Sequence, residues 1–325
     1  MKSVLVTGGS GFIGSALVRR LVSLGERVRV LDDASRGRSE RLEGVDVELV
    51  RGDVRDAEAV ARAAKGVDRI WHLAAVNGTE FFYTKPDVVL EVGIKGITNV
   101  IDAALRHDVG ELLVASSSEV YQTPPHVPTA EDVPLSIPDP HNPRYSYAAS
   151  KIASEMLALN FGRRRLRRVV VFRPHNVYGP DMGWEHVIPQ LTLRIRDLVA
   201  STRGTLRVPI QGDGSETRAF VHVDDAVDGL VRIAEAGEHL AIYNVGTDVE
   251  TRIDALVRAI ARSFDREAEV VAGPTASGGT KRRCPDIGRL LALGYRPHVS
   301  LDEGLRATVR WYDAHAQDAP ARVSA

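Results

Sequence analysis

The sequence predicts an α/β fold: a doubly wound parallel sheet with a smaller C-terminal α/β lobe. Two observations carry this prediction. Short apolar runs rich in valine and isoleucine alternate with helical segments through the first half of the chain, which is typical of strands buried on both faces. A glycine-rich turn also joins the first run to the first helical segment. Because crossovers between parallel strands are right-handed, this order places helices on both faces of the sheet.

The elements follow in a regular order. SVLVT leads into a helix from about Phe12, RVRVLD into a polar loop, and VDVELVRGD into the helical segment AEAVARAA. RIWHLA precedes a helix that begins near Pro86, ELLVASSS precedes a loop and the helix that holds Lys151, and VVVFRP ends the series. After Arg173 this alternation breaks, and YNVGT is typical of a strand that returns to the sheet. We predict a Rossmann domain over residues 1–173, rejoined by about 221–247, a lobe over 174–220 and 248–316, and a flexible tail over 317–325.

Composition excludes several classes of protein. The 325 residues are 44% hydrophobic and 26% charged, as in ordinary soluble domains, and the net charge of -1 argues against binding to nucleic acid or acidic membranes. No apolar run approaches the roughly 20 residues that cross a bilayer. The single cysteine, Cys284, forms no internal disulfide, which predicts a cytoplasmic location. The histidines lack the spacing of metal ligands, so no metal site is predicted.

A dinucleotide site is predicted at the first turn. VLVTGGSGFIGSALV places Gly8, Gly11 and Gly14 between a strand and a helix, where glycines allow the backbone to approach a pyrophosphate at the helix N-terminus. Asp32 ends the second strand about 20 residues later, where a carboxylate accepts hydrogen bonds from ribose hydroxyls. The same carboxylate repels a 2'-phosphate, which favours NAD over NADP.

Two further features near this turn leave alternatives open. Arg36 and Arg38 follow Asp32 closely and weaken the preference for NAD, because a 2'-phosphate would attract them. Asp53, at the end of the third strand, is placed either to reach the adenine or to form its own turn.

The reactive residues are expected further along the chain. In YSYAASK, Tyr147 and Lys151 are four residues apart on one helix face and therefore neighbours. An ammonium beside a phenol lowers the pKa of the phenol, which would make Tyr147 a base near neutral pH. ASSSEVY ends the preceding strand and supplies a hydroxyl, for which Ser117 is the best candidate.

Together these motifs resemble those of the extended short-chain dehydrogenase/reductase family, specifically its nucleotide-sugar epimerases and dehydratases. The resemblance covers nearly the whole chain, through TGGSGFIG, GDVRD, HLAA, SSSEVY, YAASK, RPHNVYGP, RAFVHVDDAVDGL and YNVGT. It implies a tightly held NAD that oxidises a sugar hydroxyl, usually at C4. It also implies that the cofactor site includes Phe12, Ile13, Val54, Leu73, Ala74 and Ala75 in addition to the residues named above.

The resemblance assigns roles in catalysis and substrate binding. Tyr147 would take the hydroxyl proton, Lys151 would bind the nicotinamide ribose and Ser117 would hold the sugar oxygen. The diphosphate of a nucleotide sugar would lie in the second lobe, bound by Asn176, Arg218 and Arg283. The family also implies a homodimer, formed by helices near residues 97–105 and 149–159.

The pair Ser118–Glu119 leaves the reaction open. Family dehydratases generally carry Asp-Glu here, so the position of the base is filled and the usual acid is absent. A 4-epimerase needs neither group and is the favoured interpretation. Dehydration at C6 or decarboxylation of a uronic acid, with Glu119 as a base, are the alternatives. A regulator that binds NAD without turnover is disfavoured, because such relatives typically lose the tyrosine and lysine.

Two departures from the family concern the substrate end. Gly93 stands where the family usually has asparagine, and the loop AVNGTEFFYTKP places Phe81, Phe82 and Tyr83 where a smaller polar loop is common. The aromatic side chains either border the sugar or simply pack, so the substrate cannot be transferred from a typical member.

Overall fold

The computed structural model describes residues 2–274 and 280–320. The ten helices within these residues are α1 Phe12–Ser23, α2 Ala57–Ala64, α3 Thr79–Thr84, α4 Pro86–Arg106, α5 Ser146–Arg165, α6 Val187–Ser201, α7 Val223–Ala236, α8 Ile253–Arg262, α9 Gly288–Ala292 and α10 Leu301–Ala314. The strands described there are β1 Ser3–Thr7, β2 Arg27–Asp32, β3 Glu48–Arg51, β4 Arg69–His72, β5 Glu111–Ala115, β6 Arg168–Pro174, β7 Val177–Tyr178, β8 Leu206–Gln211, β9 Thr217–Arg218, β10 Val221–His222, β11 Ile242–Val245, β12 Thr251–Arg252, β13 Ala268–Gly273 and β14 Arg282–Arg283.

Seven strands form one sheet in the order β11-β6-β5-β4-β1-β2-β3, and every neighbouring pair in it is parallel. This confirms the predicted fold class. The order reverses at β1, so the crevice beside the carboxyl ends of β1 and β4 is where such sheets bind their ligands. The edge strand β11 contains the start of YNVGT, which the sequence marks as a returning strand.

Both faces of the sheet are covered by apolar side chains. Ile70 and Leu112 lie in the core on the face of α2, α4 and α5, whereas Val6 and Trp71 lie in the core on the face of α1 and α7, all fully buried. Burial on both faces explains why these strands are continuous apolar runs rather than alternating ones.

The smaller lobe has a core of its own. β8 and β13 pair in parallel, and α6, α8 and α10 pack around them. The two-stranded pair β7 and β10, and the three strands β12, β9 and β14, connect this lobe to the carboxyl edge of the main sheet. Arg218 in β9 and Arg283 in β14 are thereby register partners.

Three observations concern the remaining sequence expectations. The aromatic loop contains a six-residue helix, α3, which the sequence analysis did not predict. In the proposed tail, Ala316–Asp318 form a short 3-10 turn, and residues 321–325 lie outside the described residues. No helix in the described part of the chain is long and apolar enough to cross a membrane.

Candidate active site

The glycine-rich turn fits a pyrophosphate closely. Gly8 has a φ of +73°, and a Cβ added to it would lie 2.7 Å from the backbone nitrogen of Ala74. A Cβ on Gly14 would lie 2.1 Å from the carbonyl oxygen of Gly8. Helix α1 begins after Gly11 with no side-chain cap and no acidic residue in its first turn. Its first N–H groups therefore face the cleft without a competing anion, as pyrophosphate binding requires.

Asp32 lies beside this turn. One carboxylate oxygen accepts a hydrogen bond from the Ser10 N–H at 2.9 Å, and the other accepts one from the Ala34 N–H, also at 2.9 Å. These contacts fix the carboxylate on the wall of the cleft. Each oxygen has further lone pairs, so both can still accept hydrogen bonds from ribose hydroxyls.

The walls of the cleft contain most of the predicted cofactor residues. They comprise Gly8, Gly11, Asp32, Asp53, Val54, Leu73, Ala74 and Ala75, with Arg36 and Val76 in addition. Asp53 accepts a hydrogen bond from the Arg55 N–H at 2.8 Å, as the turn-forming alternative predicts, and it also lies on the wall of the cleft. Phe12 and Ile13 lie behind the wall, in the core between α1 and the sheet. These side chains together fit a dinucleotide.

An ion-pair network crosses one end of this cleft. The guanidinium of Arg36 lies over the ring of Phe81, 4.3 Å from its centroid, and its Nη2 is 3.3 Å from Oε2 of Glu185. Asp181 accepts hydrogen bonds from Nε and Nη2 of Arg41, at 2.8 and 2.9 Å, and also pairs with Arg38. We call the contacts of residues 36–41 with residues 181–185 the clasp.

The clasp is anchored in the smaller lobe by aromatic residues. The Tyr312 hydroxyl donates a hydrogen bond to the Gly183 carbonyl at 2.5 Å. Trp184 packs edge to face against Tyr312, with centroids 5.0 Å apart, and contacts Trp311. Residues 181–185 are thus held by α10 on one side and by the cofactor loop on the other. Both arginines that weakened the preference for NAD have carboxylate partners in the clasp.

The predicted catalytic residues come together beyond the carboxyl end of β5. Ser117 follows this strand, and its hydroxyl lies near enough to the phenol of Tyr147 to lower the pKa of that group. Lys151 lies one turn further along α5, with Nζ 5.7 Å from the centroid of the Tyr147 ring. Nζ donates a hydrogen bond to the Ala115 carbonyl at 2.8 Å. Both side chains are buried, Tyr147 at 7% and Lys151 at 4% exposure.

The pKa of Tyr147 differs from the sequence expectation. Burial raises the pKa of the phenol above its ordinary value; the Ser117 hydroxyl acts against this, and the charge of Glu119 adds to it. Burial also lowers the pKa of Lys151 to about 8, although the charge of Glu155 opposes this shift. The sequence predicts that Lys151 lowers the pKa of Tyr147, whereas in the structure burial raises it.

The aromatic loop contributes directly to this centre. Phe82 stacks on Tyr147 with ring centroids 5.2 Å apart and planes inclined by 15°. Phe82 is 6% exposed, whereas Tyr83 is 49% exposed and Phe81 lies under Arg36. Of the three aromatic residues, Phe82 is buried against Tyr147, Phe81 contacts Arg36 and Tyr83 is exposed.

Glu119 is held by an arginine of the smaller lobe. Its Oε1 accepts a hydrogen bond from Nη1 of Arg283 at 2.5 Å. Burial would raise the pKa of this carboxyl, but Arg283 first, and then Arg144 and Arg218, hold the pKa below its ordinary value. The group is therefore a stable carboxylate with a fixed partner.

The other predicted substrate residues surround this pair. The only hydrogen bond of the Arg218 guanidinium within the described residues goes to the carbonyl of its neighbour Thr217, at 2.7 Å. Burial lowers its pKa to about 10, so it stays charged at neutral pH. Asn176 has a φ of +40°, and its side-chain amide donates a hydrogen bond to the Ala219 carbonyl at 3.4 Å. The Ala219 N–H in turn donates to the Arg283 carbonyl at 3.2 Å, which connects Asn176 to the strand of Arg283. Ser118 is buried.

A buried polar network supports the loop that carries Glu119. The Tyr121 hydroxyl donates to Oδ1 of Asn244 at 2.7 Å and accepts from Nη1 of Arg173, also at 2.7 Å. Arg173 forms a bidentate pair with Glu155 of α5, at 2.8 and 2.6 Å. Because every one of these partners is buried, the network fixes the loop relative to the helix that holds Tyr147 and Lys151.

Several residues of this site were not predicted from the sequence. Phe82 was named only as packing or substrate contact, and its stack on Tyr147 depends on the fold of α3. Residues 181–185 contain no motif that the sequence could reveal, because they contact Arg38 and Arg41, which lie about 140 residues earlier in the chain. Arg144 was also missed, although its position three residues before Tyr147 places both on neighbouring turns.

Comparison with known proteins identifies the family. The model of the NAD-dependent epimerase/dehydratase family matches residues 4–246. A UDP-glucose 4-epimerase of Mycolicibacterium smegmatis is 35% identical over 96% of this chain and 99% of its own length. UDP-glucuronic acid decarboxylase 2 of Arabidopsis thaliana is 32% identical over 94% of this chain and 67% of its own length.

A solved structure is similar throughout. The dTDP-glucose 4,6-dehydratase DesIV of Streptomyces venezuelae, crystallised with NAD, superimposes with a TM-score of 0.84 at 33% identity and covers 98% of each chain. An epimerase, a dehydratase and a decarboxylase are thus similar to this chain to nearly the same degree, so similarity alone does not choose among their reactions.

Proposed function

The chain belongs to the NAD-dependent epimerase/dehydratase family, and we propose that it is a nucleotide-diphosphate-sugar 4-epimerase. The observation that carries this proposal is the pairing of Glu119 with Arg283 beside an intact Ser117, Tyr147 and Lys151. Those three residues support oxidation of a sugar hydroxyl and reduction of the resulting ketone. Glu119, the carboxylate that would remove a carbon proton in an elimination, forms an ion pair with Arg283.

The proton is handled by Tyr147. Its hydroxyl lies near that of Ser117, so a sugar hydroxyl bound between them could form a hydrogen bond with each. When bound, NAD supplies the hydride acceptor, and its positive ring favours the phenolate that burial alone disfavours. Tyr147 then accepts the proton of the sugar hydroxyl and gives it back when the transient 4-keto sugar is reduced on its other face.

Lys151 holds the geometry of this step. Its hydrogen bond to Ala115 fixes the ammonium at the end of β5, and its remaining N–H groups can reach a ribose hydroxyl. Phe82 closes one face of the Tyr147 ring and keeps water from it.

Glu119 separates the epimerase from the alternative lyases. A base that removes a carbon proton works best with a pKa near the working pH, whereas Arg283, bonded to Oε1, holds the pKa of Glu119 below its ordinary value against the effect of burial. The adjacent Ser118 is too weak an acid to assist a departing hydroxyl. The second candidate, a 4,6-dehydratase or uronate decarboxylase, is favoured by the place of Glu119 alone, since it lies near enough to Tyr147 to raise the pKa of the phenol.

The proposed substrate site lies between the lobes. Arg218 and Asn176 approach it from the smaller lobe, and Arg283 approaches it through its pair with Glu119. Guanidinium groups match phosphate oxygens in shape and charge, which supports a diphosphate at this place.

We also propose a homodimer. Ile94 of α4 and Met156 and Phe161 of α5 are apolar but 38%, 58% and 40% exposed. The helices pack together, so a second copy could cover both in a four-helix bundle with an isologous contact.

A product analysis tests the proposed reaction. The protein is incubated with NAD and a panel of UDP-, dTDP- and GDP-sugars in deuterium oxide, and products are identified by mass and NMR. We expect a stereoisomer of unchanged mass without deuterium in the sugar ring. Loss of water or of CO₂ would instead identify a dehydratase or a decarboxylase.

A further inference from the structure

Arg144 lies close to the reactive residues but has no assigned role. It belongs to the 3-10 turn Pro143–Tyr145 that leads into α5, and its backbone N–H donates to Oδ1 of Asn142 at 3.0 Å. This cap fixes the turn, so Arg144 precedes Tyr147 by three residues on a rigid support. Residues at this separation are neighbours on a helical surface.

The side chain of Arg144 has no partner among residues 2–274 and 280–320. Its Nε is inaccessible to solvent and forms no hydrogen bond, and no carboxylate lies within ion-pair distance of its guanidinium. Burying an unpaired guanidinium nitrogen costs free energy, and native proteins usually satisfy such donors. The position therefore calls for an acceptor that the protein itself does not provide.

Arg144 lies near the predicted substrate residues. It belongs to the turn that directly precedes the helix of Tyr147, and its charge lowers the pKa of both Glu119 and Arg218. Glu119 is bonded to Arg283 at 2.5 Å, and Arg283 is the register partner of Arg218, so the four charged groups share one region. Among the described residues, Arg283 has the carboxylate of Glu119 as its ion-pair partner, whereas neither Arg144 nor Arg218 has one.

We propose that Arg144 binds an oxyanion of the nucleotide sugar together with Arg218. This inference rests on the proposed class of substrate and deepens it. Two unpaired guanidinium groups match the two negative charges of a sugar nucleotide diphosphate. A carboxylate on the sugar has the same chemistry, since it also accepts a bidentate pair of N–H bonds.

Ligand binding separates the two sources of the oxyanion. The probes are UDP, UDP-glucose and UDP-glucuronic acid, titrated calorimetrically into the NAD-loaded protein, with dTDP and GDP as further diphosphates. For Arg144→Gln we expect affinity to fall about 10- to 100-fold, the usual effect of removing a charge-assisted hydrogen bond. A loss for all ligands assigns Arg144 to the diphosphate, and a loss confined to UDP-glucuronic acid assigns it to a sugar carboxylate.

Two controls keep the result interpretable. Arg144→Lys keeps the positive charge but not the planar pair of N–H donors, so it should lose less affinity than Arg144→Gln. The melting temperature and the NAD binding of each variant show whether it is folded. Arg164→Gln, at the exposed far end of α5, removes the same charge outside the site and should bind as the wild type does. Equal affinities of Arg144→Gln and wild type for every probe would overturn the inference but not the proposed function. Failure of the wild type to bind any nucleoside diphosphate would overturn both.

Discussion

At the scale of single residues, Tyr147 and Glu119 have opposite pKa shifts: burial raises the pKa of the phenol, whereas Arg283 holds the pKa of the carboxyl below its ordinary value against the effect of burial. Tyr147→Phe should abolish nearly all turnover, because it removes the proton acceptor. Glu119→Gln should cost less than about 10-fold, because an epimerase removes no carbon proton. The measurement is kcat for both variants with the preferred sugar nucleotide.

The outcome for Glu119 distinguishes two mechanisms. A loss of about 10²–10⁴-fold for Glu119→Gln, the usual contribution of a general base, together with deuterium at C5, would identify a lyase. A smaller loss confined to KM would show that Glu119 acts through the position of Arg283.

Lys151 gives a prediction about stability and pH. Its pKa is lowered to about 8 in the folded protein, from 10.5 for the free group. The charged form is therefore disfavoured by folding, and the cost is complete below pH 8 and relieved as pH rises toward 10.5. Lys151→Met removes this cost and should raise the free energy of unfolding at pH 7 by at most roughly 3 kcal/mol. Loss of the hydrogen bond to Ala115 should reduce this gain by about 1 kcal/mol.

Denaturant unfolding of wild type and Lys151→Met at pH 7 and pH 10 measures this difference. The advantage of the variant should shrink as the pH rises. A difference that is the same at both values would contradict the assigned cause. Turnover should be lost in the variant at every pH, since Lys151 fixes the reactive geometry.

Several site residues were predictable because their spacing is local. Tyr147 and Lys151 are four residues apart on one helix, so they are neighbours in any fold that keeps this helix. Ser117 follows a strand end, which predicts its position at the edge of the sheet. The partner of Arg283 was not predictable in this way. Glu119 and Arg283 are 164 residues apart, and only the assembled lobes bring them together.

At the scale of elements, the packing of α4 on α5 explains one departure from the family. A Cβ on Gly93 would lie 2.6 Å from Cβ of Ser150, and the Ser154 hydroxyl donates to the Gly93 carbonyl at 3.2 Å. A larger residue at position 93 would push the helices apart. Glycine here is therefore a packing requirement of α5, the helix that carries Tyr147.

The outer faces of α4 and α5 lead to the dimer prediction. The positions that suggested an interface from the sequence, such as Ile97, Val100 and Ile101, are buried within one chain. Ile94, Met156 and Phe161 remain exposed instead. Met156→Glu with Phe161→Glu should give a monomer in light scattering at micromolar concentration, whereas the wild type should be a dimer.

A matched substitution controls for charge. Ser201→Glu adds a carboxylate at an exposed polar position of α6, outside α4 and α5, and should leave the assembly unchanged. A wild-type protein that is monomeric at micromolar concentration would contradict the dimer. The sequence pattern could not separate the outer from the inner face of α4 and α5, because apolar periodicity does not show which apolar positions pack within the chain and which stay exposed.

At the scale of the whole molecule, the clasp connects the loop after β2 with residues 181–185, which α10 of the smaller lobe anchors. Asp181→Asn weakens its pairs with Arg38 and Arg41, so NAD should dissociate up to about 10-fold faster, in line with the modest strength of partly exposed ion pairs. The freed arginines should also raise the affinity for NADP relative to NAD. Stopped-flow release and thermal shifts with both dinucleotides measure these effects.

Asp313→Asn is the control for this experiment. Asp313 pairs with Arg196 at 2.8 Å on the outer surface, so the substitution removes a similar ion pair away from the cleft. NAD release from this variant should match the wild type. An Asp181→Asn protein that keeps wild-type release, or a wild type stabilised more by NADP than by NAD, would contradict the role of the clasp or of Asp32.

The clasp also determines where a protease can cut. Trypsin cleaves after arginine, and Arg36, Arg38 and Arg41 place three such bonds within six residues. With the clasp closed, these guanidinium groups are paired with Glu185 and Asp181, whereas trypsin needs the arginine side chain free to enter its own acidic pocket. Cleavage of such a segment follows the population of its open form. Any ligand that joins the lobes therefore protects this segment, and the rate of nicking at these arginines measures how often the cofactor cleft opens.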